Sequence, residues 1–233
     1  NMASPVTLDF FPQEVHSERG MQITHYLEPT GADHDGLALE TWFNPIVSQS
    51  LFMPGWFGQH WENMRHYPNM TCLGVVVGSE SNGSVTASWP GREISLDFTP
   101  TNADFVRLKE GIKLAARIGL HAGAGRVLPT TFEQIEIRSE SDIDSIDSRI
   151  GNDRDVSVNS AHPQGGNPIS ADARKGVVDE SFRVYGMLNL YVCDASVFPS
   201  SITVNPQLTV MALAVYAADE IAGPPPAGVS RSP

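Results

Sequence analysis

Basic residues are scarce in this chain, with 15 Lys and Arg against 27 Asp and Glu for a formal net charge of -12. The few cations form no run, which excludes a phosphate-backbone partner: nucleic acid recognition needs a basic face. Cysteine is almost absent as well. Cys72 and Cys193 sit in the apolar contexts "TCLGVVV" and "LYVCDAS" with no C-x-x-C spacing, so buried thiols are expected rather than a disulfide framework or a zinc site. Apolar runs never approach the roughly 18 residues that a membrane-spanning helix needs. No signal-like leader opens the chain. The opening "NMASPVTLDF" runs at once into strand-like sequence, as the middle of a longer protein would. What is present is 233 residues, 41% of them apolar, enough to bury the core of one large or two small domains.

Loose alternation in "MQITHYLEP" and "GLALETWF" predicts two strands separated by the turn-rich "TGADHDG". The segment from Asn44 to Tyr67 is rich in Trp, Phe, Met and His and reads as core, or as the lining of an apolar cavity. Further strands are expected in "TCLGVVVGSE", "SNGSVTASWPG" and "REISLDF", with Asn82-Gly83 and Pro90-Gly91 as turns, giving an antiparallel sheet. A helix follows, with Thr101 as N-cap, Asp104 three residues later, an apolar face at Phe105, Leu108, Ile112, Ala115 and Ile118, and a glycine stop. The acidic stretch from Glu133 to Val158 has only isolated isoleucines and reads as a solvated boundary; it lacks the spacing of a calcium loop.

The last third carries the chemistry. In "NLYVCDASVFP" a buried strand, "LYVC", should end at an acid and two small residues, the position where α/β proteins place ligands. The helix after it has Asn205 as N-cap, Pro206 as its first residue and Gly223 as its stop, and its body is apolar nearly all round, which predicts a buried helix. The N-H groups of such a helix start, and its dipole, favour an electron-rich partner.

The combination of "SAHPQGGN", "GVVDESFRVYGMLNLYVCDASVFPS" and "NPQLTVMALAVYAADEI" closely resembles the C-terminal signature of the glucose-methanol-choline (GMC) family of FAD-dependent alcohol oxidoreductases. His162-Pro163-Gln164-Gly165-Gly166-Asn167 is nearer the H-P-x-G-G form of the cholesterol oxidase branch than the commoner H-x-x-G-T-C-x-M-G, and the long-chain alcohol oxidases are also near. The resemblance implies an α/β fold in two parts. Residues 1–150 would be a substrate-binding domain, an antiparallel sheet with packed helices. Residues 151–233 would be the C-terminal part of the FAD-binding domain, supplying its closing strand and helix.

It further implies His162 as the base that takes the alcohol proton, Asn205 as the residue that orients the substrate oxygen, Asp194 and Ala195 as the turn touching FAD, and Pro206, Gln207 and Leu208 as the helix start facing the isoalloxazine. FAD is the implied cofactor and a bulky or apolar alcohol the substrate. No G-x-G-x-x-G follows a strand, and "GLHAGAG" follows a helix with the wrong spacing. A complementary N-terminal portion carrying the ADP-binding motif is therefore expected as partner.

Each residue also has a plainer reading. Asn205 is adequately explained as a helix cap. His60, His66 and His121 have no partner at metal-ligand spacing, so no metal site is expected. Ser196 lacks the G-x-S-x-G elbow of a hydrolase nucleophile. The rival functions are a hydroxynitrile-lyase-type enzyme on the same scaffold and a non-catalytic subunit.

Overall fold

The computed structural model describes residues 1–21, 23–31, 35–80, 83–87 and 93–223, and the chain divides into two compact units. The first comprises Asn1–Ser81 and Thr99–Ser160, the second Asn82–Phe98 and Ala161–Pro233.

The first unit is built on strands β1 (Met2–Asp9), β2 (Tyr26–Leu27), β3 (Leu37–Trp42), β4 (Met70–Val77) and β7 (Arg126–Pro129), antiparallel throughout in the order β2-β3-β4-β1-β7. Of the described residues of "MQITHYLEP", Tyr26 and Leu27 pair, whereas "GLALETWF" forms β3 nearly in full. Period-two alternation puts Val6, Leu8, Leu37, Leu39, Val75 and Val77 into one core cluster, and helix α3 (Asn102–His121) contributes Leu108, Ile112, Ala115 and Ala116 to it. The expected cap of α3 is present: Thr101 accepts from the Asp104 N-H at 3.1 Å and Asp104 accepts from the Thr101 N-H at 3.0 Å.

Polar groups inside the sheet are paired, as burial demands. Thr7 accepts from the Gln49 amide at 2.8 Å, and the buried Asp9 carboxylate receives His66 Nδ1 and Arg126 Nε, each at 2.7 Å.

Two expectations are corrected in this unit. The acidic stretch from Glu133 to Val158 is no solvated boundary: Ile135, Ile137, Ile143, Ile146, Ile150 and Val156 all enter the main core. Two short helices, α4 (Glu140–Ile143) and α5 (Ile146–Arg149), turn one isoleucine each inward while their acids stay at the surface or pair with Lys109 and Lys113. The segment from Asn44 to Tyr67, conversely, is core only in part: Met53 is buried with Met70 and Leu128, and Met64 packs against them. Helices α1 (Ile46–Phe52) and α2 (Gly58–Met64) bury mainly polar Gln49 and Asn63, which find hydrogen-bond partners inside, and leave Trp56, Phe57 and Trp61 exposed.

The second unit contains an exposed hairpin, β5 (Ser84–Ala87) and β6 (Ile94–Asp97), with Val85 opposite Leu96. The predicted turns at Asn82-Gly83 and Pro90-Gly91 lie outside the described residues, Gly83 excepted. Its core is small: Val178, Phe182, Val197, Phe198 and Ala217. "LYVC" forms no strand here, because Tyr191 has only an isolated bridge to Arg183 and no ladder partner extends it.

Helix α6 (Gln207–Ala222) ends at Gly223, as expected, but it is not buried all round. The stripe Val210, Leu213 and Ala217 meets this small core at helical spacing, and Tyr216 sets its ring edge-on to Phe182 at 5.9 Å; Leu208, Met211 and Val215 are exposed.

Gly111 tests how tightly α3 is seated, since a Cβ there would stand 2.3 Å from Val75 Cγ1 and 2.7 Å from Leu37 Cδ1. Gly111→Ala gains about 1 kcal/mol of helix propensity but overpacks a fully buried seam at a cost of about 1–3 kcal/mol. The balance predicts a net loss of stability in urea unfolding; a stabilised variant would show that α3 rides higher on the sheet.

Candidate active site

Local chemistry explains the shape of "HPQGGN". Gly165 and Gly166 hold φ of 78° and 107°, a region that side chains with a Cβ avoid, and the chain bends at Gly166, shortly after His162 and Gln164. The segment from Gly165 to Ile169 lies along the "ASV" turn. Gly165 N-H donates to Ala195 O at 3.1 Å, Asn167 N-H to Ser196 O at 2.9 Å and Ile169 N-H to Val197 O at 2.9 Å, while Asn167 Nδ2 reaches Ser196 Oγ at 2.9 Å. The next segment closes the same way: Val177 N-H donates to Pro168 O at 2.8 Å, and Gly176 permits it, since a Cβ there would stand 2.6 Å from Ser170 Cβ.

Gln164 ties this loop to the approach of α6, its Oε1 accepting from Ile202 N-H at 3.0 Å. Three segments far apart in sequence, those of His162, Asp194 and Asn205, are thereby joined inside one unit. His162 is half-buried, two residues before the bridging Gln164, and Asn205 follows Ile202 by three.

Asp194 caps the short 3-10 helix Ala195–Val197, its Oδ1 accepting from Ser196 N-H at 2.8 Å. Hydrogen bonding from Ser196, hydroxyl first and backbone second, holds the Asp194 carboxyl below its ordinary range against the opposing effect of burial.

Asn205 does not cap α6. Pro206 occupies the cap position, buried, and makes no side-chain cap bond; no acid stands in the first turn, and Gln207 and Leu208 are exposed at the helix start. The helix therefore begins one residue later than expected, because the fixed φ of Pro206 suits the cap as well as the first turn. The Asn205 side chain thus takes no part in starting the helix, and its Oδ1 is shielded from solvent and makes no hydrogen bond.

The glycines of "GLHAGAG" serve α3 instead. Gly119 packs against Leu8 and Val127, Gly123 turns at φ 95°, and Gly125 N-H donates to Asp9 O at 2.9 Å.

Comparison with known proteins takes in parts of both units. Residues 79–214, more than half of it, match the family model of GMC oxidoreductases. The chain belongs to the GMC oxidoreductase family. An uncharacterised GMC-type oxidoreductase of Mycobacterium tuberculosis is 27% identical over 188 residues, which is 81% of this chain and 29% of that protein. A long-chain-alcohol oxidase of Arabidopsis thaliana is 27% identical over 219 residues, 85% of this chain and 27% of that protein. A cholesterol oxidase of Acinetobacter baumannii is 46% identical over 54 residues, 23% of this chain. The GMC chain thus spans under a third of the length of these curated relatives. Its fold is that of solved GMC-type oxidases: pyridoxine 4-oxidase from Mesorbium loti superposes with TM-score 0.62 at 21% identity, over 95% of this chain and 43% of that one. Formate oxidase superposes with TM-score 0.62 at 18% identity, over 94% and 45%. The α/β fold, with an antiparallel sheet and packed helices in the C-terminal part of a GMC protein, agrees with the sequence reading.

Gln164 was not singled out from sequence, since the central residue of H-P-x-G-G carries no chemistry by type alone; a polar side chain between Pro163 and two glycines is the signal that marks it.

The lowered Asp194 carboxyl fixes a sign. Its contribution is full above the unfolded aspartate pKa of about 3.9 and is lost as pH falls through the lower folded value. Asp194→Ala should cost about 1 kcal/mol, as for a lost helix cap, at neutral pH, with the difference from the parent shrinking below about pH 4 in acid titration of unfolding. A difference that persists unchanged into strong acid would show that the ionised carboxylate is not what caps the turn.

Proposed function

We propose that this chain supplies the substrate side and the catalytic end of an FAD-dependent alcohol oxidoreductase. Residues 1–150 serve as the substrate-binding domain and 151–233 as the closing part of the FAD-binding domain. The observation that carries the reading is the hydrogen-bonded framework that ties "HPQGGN" to the "CDAS" turn and to Ile202, three residues before "NPQL", inside one unit, within the span matched by the GMC family model.

In this reading His162 takes the hydroxyl proton of the alcohol, and Asn205 donates a hydrogen bond to the oxygen as it gains alkoxide character. FAD, when bound, supplies the acceptor for the hydride that leaves the carbinol carbon, and the alcohol becomes a carbonyl compound. The residues present fit the isoalloxazine end of that cofactor. The start of α6, without a side-chain cap or an acid in its first turn, favours an electron-rich ring edge. Asp194, Ala195, Pro206, Gln207 and Leu208 are the residues that would hold it. The glycines that could have cradled a diphosphate are engaged in stopping α3, so the ADP end falls to a complementary N-terminal portion. The exposed apolar stripe Leu208, Met211 and Val215 of α6 offers that portion a surface to pack on. A bulky or apolar alcohol is the favoured substrate class, supported by the H-P-x-G-G form and by relatives named for long-chain alcohols and cholesterol.

His162→Ala in the flavin-loaded enzyme should slow flavin reduction by alcohol at least about a hundredfold, the low end for losing a general base. Stopped-flow absorbance measures it, and an unchanged rate would remove His162 from the mechanism.

A further inference from the structure

Shielded polar side-chain atoms without a hydrogen bond are uncommon in folded proteins, yet three lie on the framework just described: Gln164 Nε2, Ser201 Oγ and Asn205 Oδ1. They belong to neighbouring segments. The Gln164–Ile202 bond holds the loop against the residue that directly follows Ser201 and stands three before Asn205. That bond also fixes the Gln164 amide, because only its oxygen can accept from the Ile202 N-H; the amino end must face the other way. No comparable bond chooses between the two ends of the Asn205 amide.

The three atoms are chemically complementary. Gln164 Nε2 only donates, the Ser201 hydroxyl both accepts and donates, and Asn205 Oδ1 only accepts. We propose that Gln164 and Ser201 are positioning residues for Asn205 through buried water: the Gln164 amino group donates toward Ser201 Oγ, and Ser201 toward Asn205 Oδ1, each by way of a water that fills the hydrogen bonds these atoms otherwise lack. The proton order in this chain is set at its far end, by the Ile202 N-H. Its consequence is at the near end, where Oδ1 is held away and Nδ2, a donor, is turned toward the substrate oxygen. An amide presented the other way round would put oxygen against a developing alkoxide. The inference rests on the role proposed for Asn205 above.

Two variants cut the chain without touching His162 or Asn205. Ser201→Ala removes its middle and leaves the Gln164–Ile202 bond in place. Gln164→Glu keeps an acceptor for the Ile202 N-H but replaces the donor with a carboxylate oxygen that captures the Ser201 proton. In the flavin-loaded enzyme each should slow flavin reduction about three- to tenfold, the range for losing one hydrogen bond. In an Asn205→Ala background, Ser201→Ala should cost nothing further. Additive losses would overturn the proposal. A second readout needs no flavin: in the 15N-labelled chain, the side-chain amide signal of Asn205, assigned by its absence in Asn205→Ala, should shift and exchange faster in Ser201→Ala, and a signal that stays in place would overturn it equally. Should Asn205→Ala itself leave flavin reduction unchanged, the proposed role of Asn205 falls, while the amide signal still decides whether Ser201 orients it.

Discussion

The site depends on one backbone constraint, the left-handed pair Gly165 and Gly166. A Cβ at either residue would be strained at these dihedrals, so glycine is what lets the chain hold this course along Ala195–Val197. Along that course three backbone hydrogen bonds tie the His162 loop to the Asp194 turn, and the Gln164 side chain ties the same loop to the approach of α6. The unit has a small apolar core and no extended ladder among its described residues beyond the exposed hairpin. The part that carries the candidate site is thus ordered by turns, caps and side-chain bridges more than by regular secondary structure.

The first unit is organised differently. There a central strand, β1, lies between β4 and β7, and α3 closes one face with small residues where it comes nearest the strands. Its polar interior is paired almost bond for bond, with Asp9 receiving an arginine, a histidine and a backbone N-H. Such pairing keeps a charged group inside a sheet without leaving it desolvated and alone. One unit is a conventional packed sheet; the other is an open framework whose α6 presents an apolar stripe outward.

Sequence made the local features legible wherever one residue type has one physical use. Thr101 with Asp104 announced the cap of α3, Gly223 the end of α6, and alternation in "GLALETWF" the strand β3. It misled where a pattern is only half of the cause. The isoleucines between Glu133 and Val158 looked isolated because their spacing follows two very short helices and connecting loops, not a single period. Trp56, Phe57 and Trp61 look like core by type, yet the elements that carry them turn polar residues inward. "LYVC" has strand composition but no ladder partner, and composition alone does not pair a strand. The residues of the candidate site were legible by resemblance. The bridge through Gln164 was not, because a long-range side-chain bond to Ile202 leaves no periodic trace.

Together these observations describe a GMC chain in which a glycine bend, a capped turn and the approach to an uncapped helix start belong to one hydrogen-bonded unit, with an asparagine that takes no part in capping. The central claim is that this unit addresses an alcohol undergoing oxidation. Anaerobic mixing of the flavin-loaded enzyme with a series of primary and sterol alcohols, followed by absorbance, tests it most directly. The account predicts that the oxidised flavin spectrum bleaches, fastest with long or bulky apolar alcohols. A flavin that binds the same alcohols and stays oxidised would contradict it, and would point to a lyase-type use of the same scaffold.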